Sequence, residues 1–413
     1  MRRLLISLFL FPVLAAAQSE VSLSLEQAET LWQEHSREIR LARTAVGGAA
    51  ADVKTAGQIP NPDVSLNALS ISRWSGYGSG GWKDKKMDTQ LRLDQTIERG
   101  GKRELRVKGA EARLDAARFD LDDTTRQQLG VLRYAYYNLR LAQEKLTLAN
   151  ETATLYGKST EAGRLRQKAG DISPVDLSRL QIDKSRADSE ARQAQAELEQ
   201  AQLALAYLIG HDGSAEKLRV TDNWPALEEQ ALSQSPLDQR PDLEAAHKRM
   251  AAAEVDRDLA RALKKRNVTL GVQYEHNLQN APTNSYGFGV SVPLFIWHEY
   301  EGEIARAEAD YDNARQQFEL QQAQAGGQVA QARSVLLSAR ARYKRLESGL
   351  LADAERVAKA AEFAYTKGAM GLMDLLDARR TLRQIQIEAT SARADYAKAL
   401  SDWQIQAEFR KTK

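Results

Sequence analysis

FAYTKGAMGLMDLLDA, residues 363–378, has a near copy 198 positions earlier: LRQKAGDISPVDLSRL, residues 165–180. Gly368 aligns with Gly170, Asp374 with Asp176 and Leu375 with Leu177. Each copy reads as the end of a helix, a glycine-containing break, and a second helix that opens on Asp-Leu. The chain therefore reverses direction twice, in the same way, half a chain apart.

The stretches flanking these turns are long and helical. No proline occurs from Glu98 to Lys168 or from Glu299 to Lys367, and all nine prolines lie outside these two runs. At about 1.5 Å per residue, each run would make a helix of roughly 100 Å. Apolar residues recur in alternating steps of three and four, the period of a left-handed coiled coil. In the first run they are Leu132, Ala135, Leu139, Ala142, Leu146, Ala149, Ala153 and Tyr156. After the turn the seam resumes at Leu177 and Leu180, passes the charged Lys184, and continues through Ala187, Ala191, Ala194, Leu198, Ala201, Leu205 and Leu208. The second run gives Val329, Ala332, Leu336, Ala339, Tyr343, Leu346 and Leu350, then Val357, Ala360 and Ala364 beyond Asp353. The last helix gives Leu375, Ala378, Leu382, Ile385, Ala389, Ala392, Tyr396, Ala399 and Trp403, which fall on the first copy's seam when shifted back by 198.

Ahead of each long run the period changes to two, the period of a strand. Four strands are expected, over residues 62–72, 87–97, 267–277 and 285–296. Leu91 and Leu93 alternate with Arg92 and Asp94, and Leu270 and Val272 with Gly271 and Gln273. Between the first two lies a glycine-rich loop with Trp74, Tyr77 and Trp82. Residues 24–58 and 242–263 read as helices, the first capped by Ser24 with Glu26 and Gln27 in its first turn. The expected organisation is a first repeat over 18–210, a linker over 211–240 and a second repeat over 241–413, each repeat being helix, strand, strand, long helix, turn, helix.

Residues 1–17 read as an export signal: Arg2 and Arg3, an apolar run from Leu4 to Leu14, and Ala15-Ala16-Ala17 as the cleavage site. There is no cysteine, which excludes a disulfide framework and a lipid attached through an N-terminal cysteine. No later run reaches the roughly 18 apolar residues of a membrane helix, so an exported chain of this kind would cross a membrane with strands. Alternating apolar and polar residues suit a barrel with one face to lipid and the other to a lumen. Trp74, Trp82, Tyr274, Tyr286 and Trp297 stand near strand ends, where interfacial aromatic belts form. Four strands cannot close a barrel. Two chains would supply eight, with an interior filled by side chains; three would supply twelve and leave a channel, and closed cyclic symmetry favours the trimer.

The turns, the duplication and the export signal resemble the TolC family of outer-membrane efflux proteins over nearly the whole mature chain. The resemblance implies a mainly α fold with a β-barrel portion: a homotrimer whose twelve-stranded β-barrel in outer-membrane lipid is continuous with a long α-helical barrel in the periplasm. Its tip would dock on a periplasmic adaptor and an inner-membrane pump of the RND type. QTIERGGKRELR, residues 95–106, resembles the first strand-to-helix junction of the CzcC-like branch, which serves exporters of cobalt, zinc and cadmium. Ducts for drugs, solvents or secreted protein share the turn motifs, and a periplasmic coiled-coil scaffold would leave the strands unexplained.

On this resemblance Asp374 and Asp377 match the acidic pair that lines the periplasmic gate, one helical turn apart on a shared face. Rings of carboxylates favour cations in a constriction. Asp176 and Tyr365 match contacts that hold the tip closed; at Met370 some relatives carry an arginine. The turns over 168–175 and 367–373, with Gly170, Ser173, Gly368 and Gly371, are the expected adaptor contacts. The residues alone offer plainer roles: helix-start acids and chain reversal.

The charge classes exclude other functions. A net charge of +2 with 28% charged residues and a mean hydropathy of −0.52 argues for long solvated helices, not for a nucleic-acid partner. Gly100-Gly101-Lys102 lacks the spacing of a phosphate loop. His298, Glu299, Glu301 and Glu303 read as helix-start residues and not as a metal site. No nucleophile, base and orienting group come together by spacing, so neither an enzyme nor a cofactor is expected.

Overall fold

The structure, a computed structural model, describes residues 21–69, 87–227, 237–278 and 283–407. The export signal, the aromatic loop and parts of the linker and of the first expected strand lie outside these residues.

Two compact units form, and they do not follow the two sequence repeats. The first contains residues 21–37, 126–227 and 329–407, and so takes the turn-proximal part of both repeats. The second contains residues 38–69, 87–125, 237–278 and 283–328, with all four period-two strands.

In the first unit β1 (Val21–Leu23) precedes α1 (Leu25–His35). Ser24 caps α1 in a capping box: its hydroxyl accepts from the Gln27 amide at 3.2 Å, and the Gln27 side chain accepts from the Ser24 amide at 2.9 Å. The helix expected over 24–58 is interrupted at Ser36, which leaves the helical region (ψ 125°) before α2 (Arg37–Ala56) begins. The long helix α3 (Lys102–Ala169) ends in this unit, followed by α4 (Pro174–Ile209). The sequence between the repeats is not featureless. It carries β4 (Leu218–Val220), which pairs in parallel with β1, Val21 opposite Leu218. Both strands have three residues, too short for a period to reveal them. Leu23, Leu218 and Val220 are buried, and so in the same unit are Trp32, Tyr136, Leu205, Ile209, Tyr396 and Trp403. The Tyr136 hydroxyl donates to the Leu23 carbonyl, and the Trp224 indole to Glu144.

The second unit holds α5 (Pro241–Ala262) and a four-stranded antiparallel sheet of β2 (Asp63–Leu69), β3 (Asp88–Ile97), β5 (Val268–Asn277) and β6 (Thr283–Ser291), in the order β2-β3-β5-β6. Strand β6 stops five residues short of its expected end. Pro293 follows, and a proline cannot donate to a ladder. Val64, Leu66, Leu91, Leu93, Leu270, Val272, Tyr286, Phe288 and Val290 form one exposed apolar face. In the same unit Arg113 pairs with Asp256 at 2.7 Å and Arg261 with Glu308 at 2.9 Å.

The second proline-free run is divided. Helix α6 (Glu301–Arg345) passes through a π-helical turn, Leu346–Leu350, into α7 (Leu351–Thr366), and α8 (Leu372–Ala407) ends the described chain. The π turn shifts the seam. Val329, Ala332, Leu336, Tyr343 and Leu346 are buried as expected, but beyond them the buried residues are Ala354, Ala358 and Ala361. Leu350 and Val357, expected inside, are 42% and 57% exposed. In the first copy the seam runs unbroken to the buried Tyr156 and Thr160. Ala149 corresponds to Leu346 at an offset of 197, whereas Tyr156 corresponds to Ala354 at 198. The second copy thus has one extra residue, absorbed as a π turn.

Candidate functional site

The two turns share their backbone hydrogen bonds. The Asp171 amide donates to the Arg166 carbonyl and the Ala369 amide to that of Ala364, both at 2.9 Å. Gly170 and Gly368 sit in the left-handed region, with φ of 84° and 72°, where a side chain would add strain. The following helices differ in their caps. The Ser173 hydroxyl accepts from the Asp176 amide at 3.1 Å, with Pro174 in the first turn of α4. Gly371 in the equivalent place has no side chain to offer. Ser173→Ala is expected to cost about 1 kcal/mol, read as a lower melting temperature with assembly retained.

Asp374 and Asp377 both project from the exposed face of α8. With Met370, Val357, Ala360, Ala364, Ala378 and Thr381 they line an open cleft of about 500 Å³ between α7 and α8. Val357, Ala360 and Ala364 are the residues that the π turn rotates out of the seam. No hydrogen bond or ion pair to either carboxylate is present among the described residues. Neither carboxylate therefore has a direct partner among the described residues.

Asp176 and Tyr365 are held separately. The Ser173 hydroxyl donates to Asp176 at 2.9 Å and Arg179 lies 3.6 Å away. The Arg166 guanidinium stacks 4.9 Å from the Tyr365 ring centroid. Met370 lines the acidic cleft, while the neighbouring Met373 takes a contact from Arg179 at 3.2 Å.

The helical pairs are locked together by arginines that periodicity alone does not single out. Arg379 donates to Ser159 and to Glu362, each at 2.9 Å. Arg380 reaches both carboxylate oxygens of Asp183, at 2.8 and 2.7 Å. Arg383 pairs with Glu190. Asp183 is 6% exposed and occupies the seam between Leu180 and Ala187. The charged seam residue is therefore Asp183; Lys184, expected there, faces out and pairs with Asp188 at 2.9 Å. The Asp183 hydrogen bonds hold the Arg380 guanidinium above its ordinary value, and burial pushes the Tyr156 hydroxyl up. Tyr156, Leu180, Ala187 and Leu376 form one buried apolar cluster. A seam step that admits an acid was the one signal in the sequence.

The ERGGKRELR junction serves the backbone. Gly100 has φ of 82°, and a Cβ there would lie 2.7 Å from that of Lys265. The Lys102 ammonium turns inward to the Lys265 carbonyl at 2.6 Å and to Asn267 at 2.8 Å, so it is committed to joining strand to helix. Glu98 pairs with Arg106 at 2.8 Å, and Arg103 donates to the Gly57 carbonyl at 2.7 Å. His298 lies 3.0 Å from Glu303 and packs on Tyr300.

The family model described as "Outer membrane efflux protein" matches residues 30–211 and 232–402. The chain belongs to the outer membrane efflux protein family. It is 26% identical to the cobalt-zinc-cadmium resistance protein CzcC of Cupriavidus metallidurans, over 94% of this chain and 95% of that protein. Among solved structures it superposes on the outer-membrane channel OprN with a TM-score of 0.78, at 22% identity over 92% of this chain and 89% of that one. On VceC of Vibrio cholerae the TM-score is 0.75, at 20% identity over 93% and 96% of the two chains. The fold is that of these channels, and an outer membrane efflux protein places its strands in the outer membrane and its helices in the periplasm. No helix among the described residues of this outer membrane efflux protein is long and apolar enough to cross a membrane.

Proposed function

We propose that this outer-membrane channel is the exit duct of a tripartite system that exports divalent heavy-metal cations, with a periplasmic adaptor and an RND-type inner-membrane pump. The observation that carries the cargo is the relationship to the cobalt-zinc-cadmium resistance protein over nearly the full length of both chains. The open edges of β2 and β6 support a homotrimer, in which β2 of one copy pairs with β6 of the next and twelve strands close. The exposed apolar face then meets lipid and the polar face lines the lumen. The duct supplies no energy; the inner-membrane pump does.

In this reading Asp374 and Asp377 form two rings of three carboxylates at the periplasmic gate. Their lack of partners among the described residues supports a role in holding cations. Asp176, Tyr365 and Met370 contribute to closure of the tip. The turns around Gly170, Ser173, Gly368 and Gly371 meet the adaptor.

Deleting the gene tests the cargo. Sensitivity to zinc, cobalt or cadmium, restored by the wild-type chain, is the expected result; sensitivity confined to bile salts and dyes would keep the duct and overturn the metal assignment. For the gate, Asp374→Ala with Asp377→Ala is expected to weaken block by divalent cations in single-channel recordings by about tenfold or more, since both carboxylate rings disappear. Unchanged block removes the gate assignment.

A further inference from the structure

The polar face of the sheet is ordered in cross-strand rows. One row is Ser65, Arg92, Gln273 and Gly287; the next is Asp63, Asp94, Gly271 and Gly289. Among the described residues of this face Arg92 is the basic one, against Asp63, Asp88, Asp94 and Glu275. Its guanidinium does not extend away from the wall. Nε and Nη2 donate to the two Asp94 oxygens at 2.7 and 2.8 Å, and Nη1 donates to Gln273 at 3.1 Å.

Two glycines in strand interiors make this posture possible. A Cβ on Gly271 would lie 2.5 Å from Arg92 Nη2 and 2.3 Å from Asp94 Oδ1, and one on Gly289 would lie 3.1 Å from Arg92 Nη2. Interior glycines weaken a strand, and they recur where another group must approach the backbone closely. The residue they accommodate balances an otherwise unfavourable pair. Asp63 stands directly opposite Asp94, and like charges in that relation repel. Two carboxylates on adjacent strands are also a pair of hard oxygen ligands for a divalent cation. Asp88 is already committed, accepting from the Leu278 amide at 2.9 Å.

We propose that Arg92 is the residue that sets the electrostatic character of the barrel lumen, by folding against the wall and cancelling Asp94 so that the Asp63–Asp94 row does not trap divalent cations. This rests on the polar face being the lumen. A duct passes cations only where binding is weak enough to release them, and an acidic row at every copy would otherwise compete with release.

The chain contains no cysteine, so Ser65→Cys, in register with Arg92, is a unique probe. Purified trimers carrying it would be modified with a cationic and an anionic methanethiosulfonate at low salt. Adding Arg92→Gln is expected to raise the ratio of cationic to anionic rates about five- to tenfold, an effect that salt screens, and to make Mg²⁺ slow the cationic reagent. Adding Asp94→Asn, which leaves Arg92 uncompensated, should lower the ratio by a similar factor, and it serves if Arg92→Gln does not assemble. Arg92→Lys should leave the ratio within about twofold of the parent, because the charge is kept. A ratio that neither Arg92→Gln nor Asp94→Asn moves in assembled trimers overturns the proposal and leaves the duct intact. A cysteine that reacts with neither water-borne reagent shows that this face is not the lumen, and overturns both.

Discussion

Deleting Gly349 is expected to leave the protein folded and assembled, whereas deleting Asn150 from the equivalent part of the first repeat is expected to prevent assembly. The two residues are both away from the core, Gly349 half-buried and Asn150 exposed, so their own contacts do not explain the difference. The phase of the helix does. From Leu346 to Ala354 the chain takes eight residues to make what a heptad seam makes in seven, and the π turn Leu346–Leu350 absorbs the surplus. Removing one residue there restores the seven-residue step, and Ala354, Ala358 and Ala361 stay inside on a regular helix. In α3 the step from Ala149 to Tyr156 is already seven. Removing Asn150 rotates everything beyond it by about 100°, carrying Tyr156 and Thr160 out of the seam. Loss of the buried Tyr156 contacts alone is expected to cost about 3–5 kcal/mol. The Thr160 hydroxyl bond to the Leu180 carbonyl, 3.2 Å, is lost with them. Heat-modifiable mobility on gels and thermal melting by circular dichroism report both outcomes. Equal tolerance of the two deletions would mean that the seam phase does not hold these helices.

Arg380→Ala is expected to destabilise the protein by about 3 kcal/mol, and Asp183→Asn in the same chain to recover most of it. The exposure of the two partners makes the pair asymmetric. The Asp183 side chain is 6% exposed and that of Arg380 48%. Removing the arginine strands a buried carboxylate, which is the costly way to break a buried pair. Removing the charge of Asp183 alone leaves a guanidinium that can turn to water, so Asp183→Asn by itself should cost about 1–2 kcal/mol. Denaturation midpoints of the three variants measure the coupling. A double variant no more stable than Arg380→Ala would place the loss in packing of the arginine stem instead of in the stranded charge.

Much of the architecture was legible without coordinates, because it depends on repetition and period. The duplicated turns place their glycines at left-handed positions with the same backbone hydrogen bonds. The period-two stretches become adjacent strands of one sheet, with Leu91 and Leu93 on one face and Arg92 and Asp94 on the other. The acidic pair Asp374 and Asp377 shares a face, as a one-turn spacing requires, and that face opens on a cleft.

Length, proline placement, alternation and the repeated turn were determined by the sequence alone: they set which segments are helices and strands and where the chain reverses. The phase of each seam, and what balances each charge, was decided only in three dimensions. Steps of three and four admit Asp183 as readily as Lys184, and the choice went to the residue that Arg380 of α8 could reach. One surplus residue in the second copy has no mark in composition, yet it exchanges Val357 for Ala358 in the seam and gives the acidic cleft its apolar wall. Gly271 and Gly289 lie in different strands, and only their pairing makes them a bed for Arg92. A period specifies a face to within one residue; the last residue is settled by contacts that come from distant parts of the chain.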